Sequence, residues 1–217
     1  DDSDSTTLNL TGTASVVEGG SIVYTASVTN PTGTALTITL SNGAVINIAA
    51  NASTGSVTVA APSDDAVIDA GSVSVTVAST SGGNYEQLTV GTGSAGNPVI
   101  TTVTDDADST TLSLTASASV VEGGNITYTA SVTNPTGTAL VVTLSNGSSI
   151  TIPAGQSSGN VSVAAPSDDV YIDAGSVTVS VTGTSGGNYE NLQNGSISAT
   201  TAISDDTDSA TLNHTGT

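Results

Sequence analysis

Residues 15–34 read SVVEGGSIVYTASVTNPTGT, and residues 119–138 read SVVEGGNITYTASVTNPTGT. Only Ser21/Asn125 and Val23/Thr127 differ. Within this stretch SIVYTASVT alternates small polar residues with apolar or aromatic ones, the period-two pattern of a half-buried strand. Gly19-Gly20 opens it and Asn30-Pro31 closes it, both turn formers. Outward from it, LTITL, VINI, SVTVA and SVSVTVA are further β-branched runs, separated by Gly, Pro, Asn and Asp. Asn42-Gly43 and Asn146-Gly147 stand between LTITL and VINI and their counterparts, a strong short-range hairpin signal. About seven short strands per ~100 residues predict an all-β chain of immunoglobulin-like sandwiches.

The repetition spans the whole chain. Residues 1–104 form one copy, 105–204 a second, and 205–217 begin a third. The second copy is shorter after Glu190 than the first is after Glu86, which marks a loop or ragged strand near the domain end. Each copy is the size of one domain with its own core. The opening of a third copy leads to the expectation of a longer array.

The chain has 19 acidic residues, no Lys or Arg, and a formal charge of −19. Every acid falls in the repeat. The first copy carries Asp1, Asp2, Asp4, Glu18, Asp64, Asp65, Asp69 and Glu86. The second carries Asp105, Asp106, Asp108, Glu122, Asp168, Asp169, Asp173 and Glu190, and the third opens with Asp205, Asp206 and Asp208. A disordered acidic segment would lack the β-branched alternation, and a halophilic surface would scatter its acids. Clustered carboxylates with no cationic side chain to pair with call for a hard cation from solution, and Ca2+, which takes 6–8 oxygen ligands, fits them. The loops lack the EF-hand spacing.

Counting strands places these acids. The first strand (6–10, extending toward 17) runs down to the Glu18-Gly19-Gly20 turn. Strand 22–29 climbs, 36–40 descends, 45–49 climbs and 56–60 descends to Asp64, Asp65 and Asp69. Strand 72–78 climbs to the Gly82–Glu86 turn, and the last strand descends to Asp105. Seven is odd, so entry and exit are expected at opposite poles, with domains end to end. Glu18, Asp64, Asp65, Asp69, Asp105, Asp106 and Asp108 are expected to gather at one junction, with Glu190 approaching from the next domain. For Glu86 and Glu190 a ligand role and a plain turn role are both open.

Composition excludes much else. There is no Cys, hence no disulfide or thiolate metal site. No apolar run approaches a membrane span, no signal peptide opens the chain, and nucleic-acid recognition lacks its Lys and Arg. With one His, His214, and no Lys, Arg or Cys, the usual catalytic groups are missing. The carboxylates read as metal ligands rather than a glycosidase pair. Tyr24 and Tyr128 read as core aromatics, and Tyr85 and Tyr189 as packed beneath a turn. The sequons at Asn51, Asn125 and Asn160 are those expected by chance in so Ser/Thr/Asn-rich a chain.

The ordered motifs SVVEGG, APSDDAVIDAGS, SGGNYE and VTDDADSTTLSL resemble the extender repeats of large bacterial biofilm adhesins of the repeats-in-toxin class. More distantly, the Glu-Gly turn, the DDxxxD loop and the terminal Asp cluster resemble the Calx-beta domain. The resemblance implies tandem immunoglobulin-like domains, linker Ca2+, type I secretion and an extracellular stalk on the bacterial surface. Its ligands would be Glu18 or Glu122, the Asp pair with its following Asp, and the linker triplet. The partners implied are neighbouring repeats of the same chain in a monomeric rod, without small-molecule substrate or membrane insertion. A Ca2+-dependent carbohydrate- or ice-binding module is the alternative. Trp and Phe are absent for sugar stacking, and no flat Thr grid suits ice.

Overall fold

In a computed structural model the described residues are 4–91, 98–172 and 174–209. They form strands, turns and loops and no helix. Two compact units emerge. The first comprises Asp1–Asp65 and Asp69–Asp106, the second Ala66–Ile68 and Ala107–Thr217.

The first unit contains β1 (Ser5–Gly12), β2 (Ser15–Val17), β3 (Ser21–Val28), β4 (Leu36–Leu40), β5 (Val45–Ile48), β6 (Thr54–Ala60), β7 (Gly71–Val75), β8 (Val77–Gly82), β9 (Gln87–Val90) and β10 (Val99–Thr104). One sheet has the order β6-β3-β1-β9. The other strands form two ladders, β2-β10-β7 and β5-β4-β8. The second unit contains β11 (Ser109–Ala116), β12 (Ser119–Val121), β13 (Asn125–Val132), β14 (Leu140–Leu144), β15 (Ser149–Ile152), β16 (Ser158–Ala164), β17 (Gly175–Gly186), β18 (Asn191–Asn194) and β19 (Ser198–Ser204). Its sheets are β16-β13-β11-β18 and β12-β19-β17-β14-β15. Each unit is a β-sandwich.

Alternation builds the cores. Along β3 the residues Ile22, Tyr24, Ala26 and Val28 are buried while Ser21 and Val23 face out. They meet Leu8 and Leu10 of β1 and Leu36, Ile38, Leu40, Ile46 and Ile48 of β4 and β5 in one cluster. The equivalent residues around Leu112, Tyr128, Leu140 and Ile150 fill the second unit. A core of Leu, Ile, Val and Tyr follows from a sequence without Phe, Trp or Met.

The strands differ in detail from the count of seven. The first expected strand breaks into β1 and β2. β1 pairs antiparallel with β3, and β2 pairs parallel with β10 in the other sheet. The last strand divides in the same way, β9 running parallel to β1 and β10 to β2. The chain thus enters and leaves by changing sheets at a corner, which hydrophobic alternation cannot report because both segments keep one face inward. β7 and β8 are separated at Thr76, whereas β17 runs unbroken past a register shift beside Thr143/Leu144. Antiparallel β3–β6, β4–β5, β4–β8 and β7–β10 ladders alternate the strand direction.

The Asn42-Gly43 connection is tight. Gly43 N donates to Leu40 O at 2.9 Å and Leu40 N to Ala44 O at 2.8 Å. Asn42 Oδ1 accepts from Ala44 N at 3.1 Å. Gly43 has φ of 84°, so this is a turn ending in a left-handed residue, the three-residue hairpin loop rather than the two-residue one.

Candidate metal centres

Glu18 sits in the turn between β2 and β3, and four backbone hydrogen bonds fix that turn. Glu18 N donates to Thr104 O at 3.0 Å, Gly19 N to Pro62 O at 2.7 Å, Gly20 N to Val17 O at 3.1 Å and Ala61 N to Gly20 O at 3.0 Å. The turn therefore binds both the loop after β6 and the end of β10, which carry the other acids. Gly19 has φ of +67°, and a Cβ there would lie 3.0 Å from Asp64 Cβ. Glycine is needed for the backbone conformation and for the approach of Asp64.

Carboxylate oxygens of Glu18, Asp64 and Asp106 lie within 4.8 Å of one another, as do those of Glu18, Asp69 and Asp105. Glu18 is common to both sets. It is buried, whereas Asp64, Asp69 and Asp106 are exposed and Asp105 is half-buried. Asp69 N also donates to Asp105 Oδ1 at 3.1 Å, holding the post-β6 loop against the segment after β10.

The second unit repeats the arrangement. Glu122 N donates to Ser204 O at 3.0 Å, Gly123 N to Pro166 O at 2.7 Å and Ala165 N to Gly124 O at 2.9 Å. Oxygens of Glu122, Asp168 and Asp206 gather within 4.8 Å. A concavity beside them is lined by Asp169, Asp205 and Asp208. Desolvation, then repulsion from Asp206, Asp208 and Asp169, raises the Asp168 carboxyl above its usual value. Asp173, the counterpart of Asp69, lies outside the described residues, as do Asp1, Asp2 and His214.

Other expected ligands stand apart from these triads. Asp65 belongs to none of them. Asp169 Oδ1 accepts from Tyr171 N at 2.8 Å, an Asx-type turn within its own loop. Glu86 Oε2 accepts the backbone N–H of Asp4 at 3.1 Å, and Glu190 Oε2 that of Asp108 at 2.6 Å. These two glutamates thus brace the chain just before β1 and β11. Tyr85 Oη donates to Asn30 O at 2.8 Å and Tyr189 Oη to Asn134 O at 2.9 Å, which pins the Gly-Gly-Asn-Tyr turn. Tyr24 and Tyr128 are buried in the cores. The sequence reading missed the close approach of Gly19 to Asp64, though the invariable Glu-Gly-Gly of the two copies carried the signal. It also missed the placement of Ala66–Ile68, signalled by an apolar tripeptide set among acids.

The triads present hard oxygen donors only, and no Lys or Arg exists to neutralise them. Such a donor set suits a divalent cation of the Ca2+ type, completed by backbone carbonyls and water. Among the described residues no helix is long and apolar enough to cross a membrane.

Two sandwiches built from one repeated sequence, each with acids gathered at a turn, define a tandem-repeat β protein. The chain belongs to the LapA domain family, which matches residues 4–106 and 108–207. The family's repeats are extenders of a cell-surface adhesin active in biofilm formation and attachment, and they are structural rather than catalytic. Among curated proteins none matches this chain.

Proposed function

We propose that this chain is a Ca2+-stiffened stalk segment of a secreted bacterial adhesin, projecting a distal adhesive domain from the cell. Glu18 with Asp64 and Asp106, and Glu18 with Asp69 and Asp105, hold ions in the first repeat. Glu122, Asp168 and Asp206 do so in the second. The observation that carries this reading is the gathering of aspartate carboxylates around one buried glutamate in each repeat, four around Glu18 and two around Glu122. Their mutual repulsion opposes folding unless a cation offsets it. Each ion would tie the Glu-Gly-Gly turn to the post-β6 loop and to the chain leaving the sandwich. The linker acids are then fixed, and neighbouring repeats of the monomeric rod lose freedom to swing. Type I secretion and an immunoglobulin-like form of each sandwich belong to the same reading.

Thermal melts in millimolar Ca2+ and in chelator test it. An ion at 100 times its dissociation constant stabilises by about 2.7 kcal/mol per site, so a gap of more than about ten degrees is expected for sites in both repeats. Coincident melting curves overturn the reading. Glu18→Gln keeps the side-chain volume and should lower ion affinity at both first-repeat triads together.

A further inference from the structure

The Asp pair of each repeat is followed by an apolar tripeptide, Ala66-Val67-Ile68 in one copy and Val170-Tyr171-Ile172 in the other. Their environments differ sharply. Ala66–Ile68 is an integral part of the second unit. Val67 forms an antiparallel bridge with Tyr189. Ile68 N donates to Asn188 O at 2.9 Å, Asn188 Nδ2 to Ile68 O at 2.5 Å, and Glu190 N to Ala66 O at 3.3 Å. Ala66 is 6% exposed and Tyr189 8%. A Cβ placed on Gly137 would meet Val67 Cγ1 at 2.4 Å, so the tripeptide lies flush on a glycine.

Val170, Tyr171 and Ile172 are 61%, 73% and 95% exposed. In the first unit the turn equivalent to Gly187–Glu190 is formed identically. Asn84 and Asn188 both have φ of 56°, and Tyr85 and Tyr189 make the same hydroxyl bond to an Asn carbonyl. Yet Tyr85 is half-exposed and Glu86 exposed. At Gly33, the counterpart of Gly137, the nearest neighbours of an added Cβ are Asn84 and Gly83 of the same unit, at an ordinary 3.5 Å. One repeat thus offers an uncovered seat, and the other an uncovered tripeptide.

We propose that the post-Asp-Asp tripeptide is a plug that docks, by backbone pairing and apolar contact, on the Gly-Gly-Asn-Tyr-Glu turn of another copy of this repeat. The plug Val170–Ile172 and the seat at Gly83–Glu86 are complementary open halves, and the occupant of each is a further repeat. The bonds from Ile68 N to Asn188 O and from Glu190 N to Ala66 O are main-chain pairing at a short edge, the mode by which an extended segment adds to a sheet, and the Asn188 side-chain amide adds a third bond to Ile68 O. Because plug and seat are different surfaces, the contact is head-to-tail and can propagate along an array. Exposed apolar residues in an otherwise polar, acidic loop mark such a contact surface.

Hydrogen exchange on the chain tests the proposal through amides that bind no ion, so its outcome is separate from that of the Ca2+ melts. The Ile68 and Glu190 amides should exchange at least tenfold more slowly than those of Ile172 and Glu86, after correction for intrinsic rates. Gly137→Ala should abolish the protection of Ile68 while Gly33→Ala leaves it intact. When a further copy of residues 109–204 is joined after Asp208, Ile172 should acquire the protection of Ile68. Exchange of Ile68 as fast as Ile172 in the original chain, or an Ile172 still unprotected in the lengthened one, overturns the proposal.

Discussion

Asp168 feels the crowding of like charges in the second repeat. Desolvation, and then the charges of Asp206, Asp208 and Asp169, raise its carboxyl above the usual value. The folded chain therefore binds this proton more tightly than the unfolded chain does. Between the ordinary carboxylate value, about 4, and the raised one, stability falls as pH rises. In chelator, acidifying from neutral pH toward that range should raise the midpoint of thermal unfolding, and Asp168→Asn should remove most of this rise. In Ca2+ the same substitution should lower the midpoint, because it deletes a proposed ligand. Melts across pH in both buffers check the two signs. Tyr85 and Tyr189 pose a simpler residue-scale test. Each phenol donates to an Asn carbonyl, so Tyr189→Phe should cost about 1 kcal/mol, measured by urea denaturation.

At the scale of elements, glycines mark where backbone passes close to backbone. A Cβ on Gly55 in β6 would lie 2.4 Å from Asn47 O, and one on Gly159 in β16 2.3 Å from Thr151 O. A carbonyl in a neighbouring strand cannot move aside as a flexible side chain does. Gly55→Ala or Gly159→Ala should therefore cost about 1–3 kcal/mol. Gly43→Ala meets nothing within 4 Å and is strained only by its φ of +84°, so it should cost about 1 kcal/mol. Denaturant midpoints of the three variants give the order. Gly19→Ala combines both effects at the metal turn. It should reduce Ca2+ affinity as well as stability, which calorimetric titration reads directly. The sequence made the strand pattern and the hairpin positions legible, since alternation and Asn-Gly are local signals. It did not reveal the change of sheet between β1 and β2, or between β9 and β10. An inward-facing residue looks alike whichever sheet supplies its neighbour.

The whole sequence has 19 acidic side chains, no Lys or Arg, and one His, His214. Unbalanced like charges destabilise the compact state, and salt screens them over about 8 Å at physiological ionic strength. In chelator, raising NaCl from about 20 to 500 mM, far above and then below that screening distance, should increase the unfolding midpoint. The Ca2+-loaded chain should respond much less. For the proposed stalk, small-angle scattering should give a narrower distribution of maximum dimension in Ca2+ than in chelator. Asp106→Ala should broaden that distribution while leaving both sandwiches folded by circular dichroism. An unchanged distribution would remove the linker ions from the account of stiffness.

The sequence by itself determined the tandem repetition, the all-β character, the aliphatic composition of the cores and the excess of carboxylates over cationic side chains. These are set by periodicity, spacing and the absence of Lys and Arg, properties that need no coordinates. Only the tertiary structure decided which carboxylates meet. Asp64 and Asp65 are adjacent in the chain, yet Asp64 alone joins a triad, because Gly19 admits it and the Pro62 carbonyl anchors the loop. Asp105 and Asp106 likewise fall into different sets around Glu18. The two tripeptides show the same limit. Ala66–Ile68 and Val170–Ile172 occupy equivalent places in the sequence, but one is seated on Tyr189 and Asn188 and the other is bare. Burial depends on what surface arrives from elsewhere in space, and local pattern does not encode it.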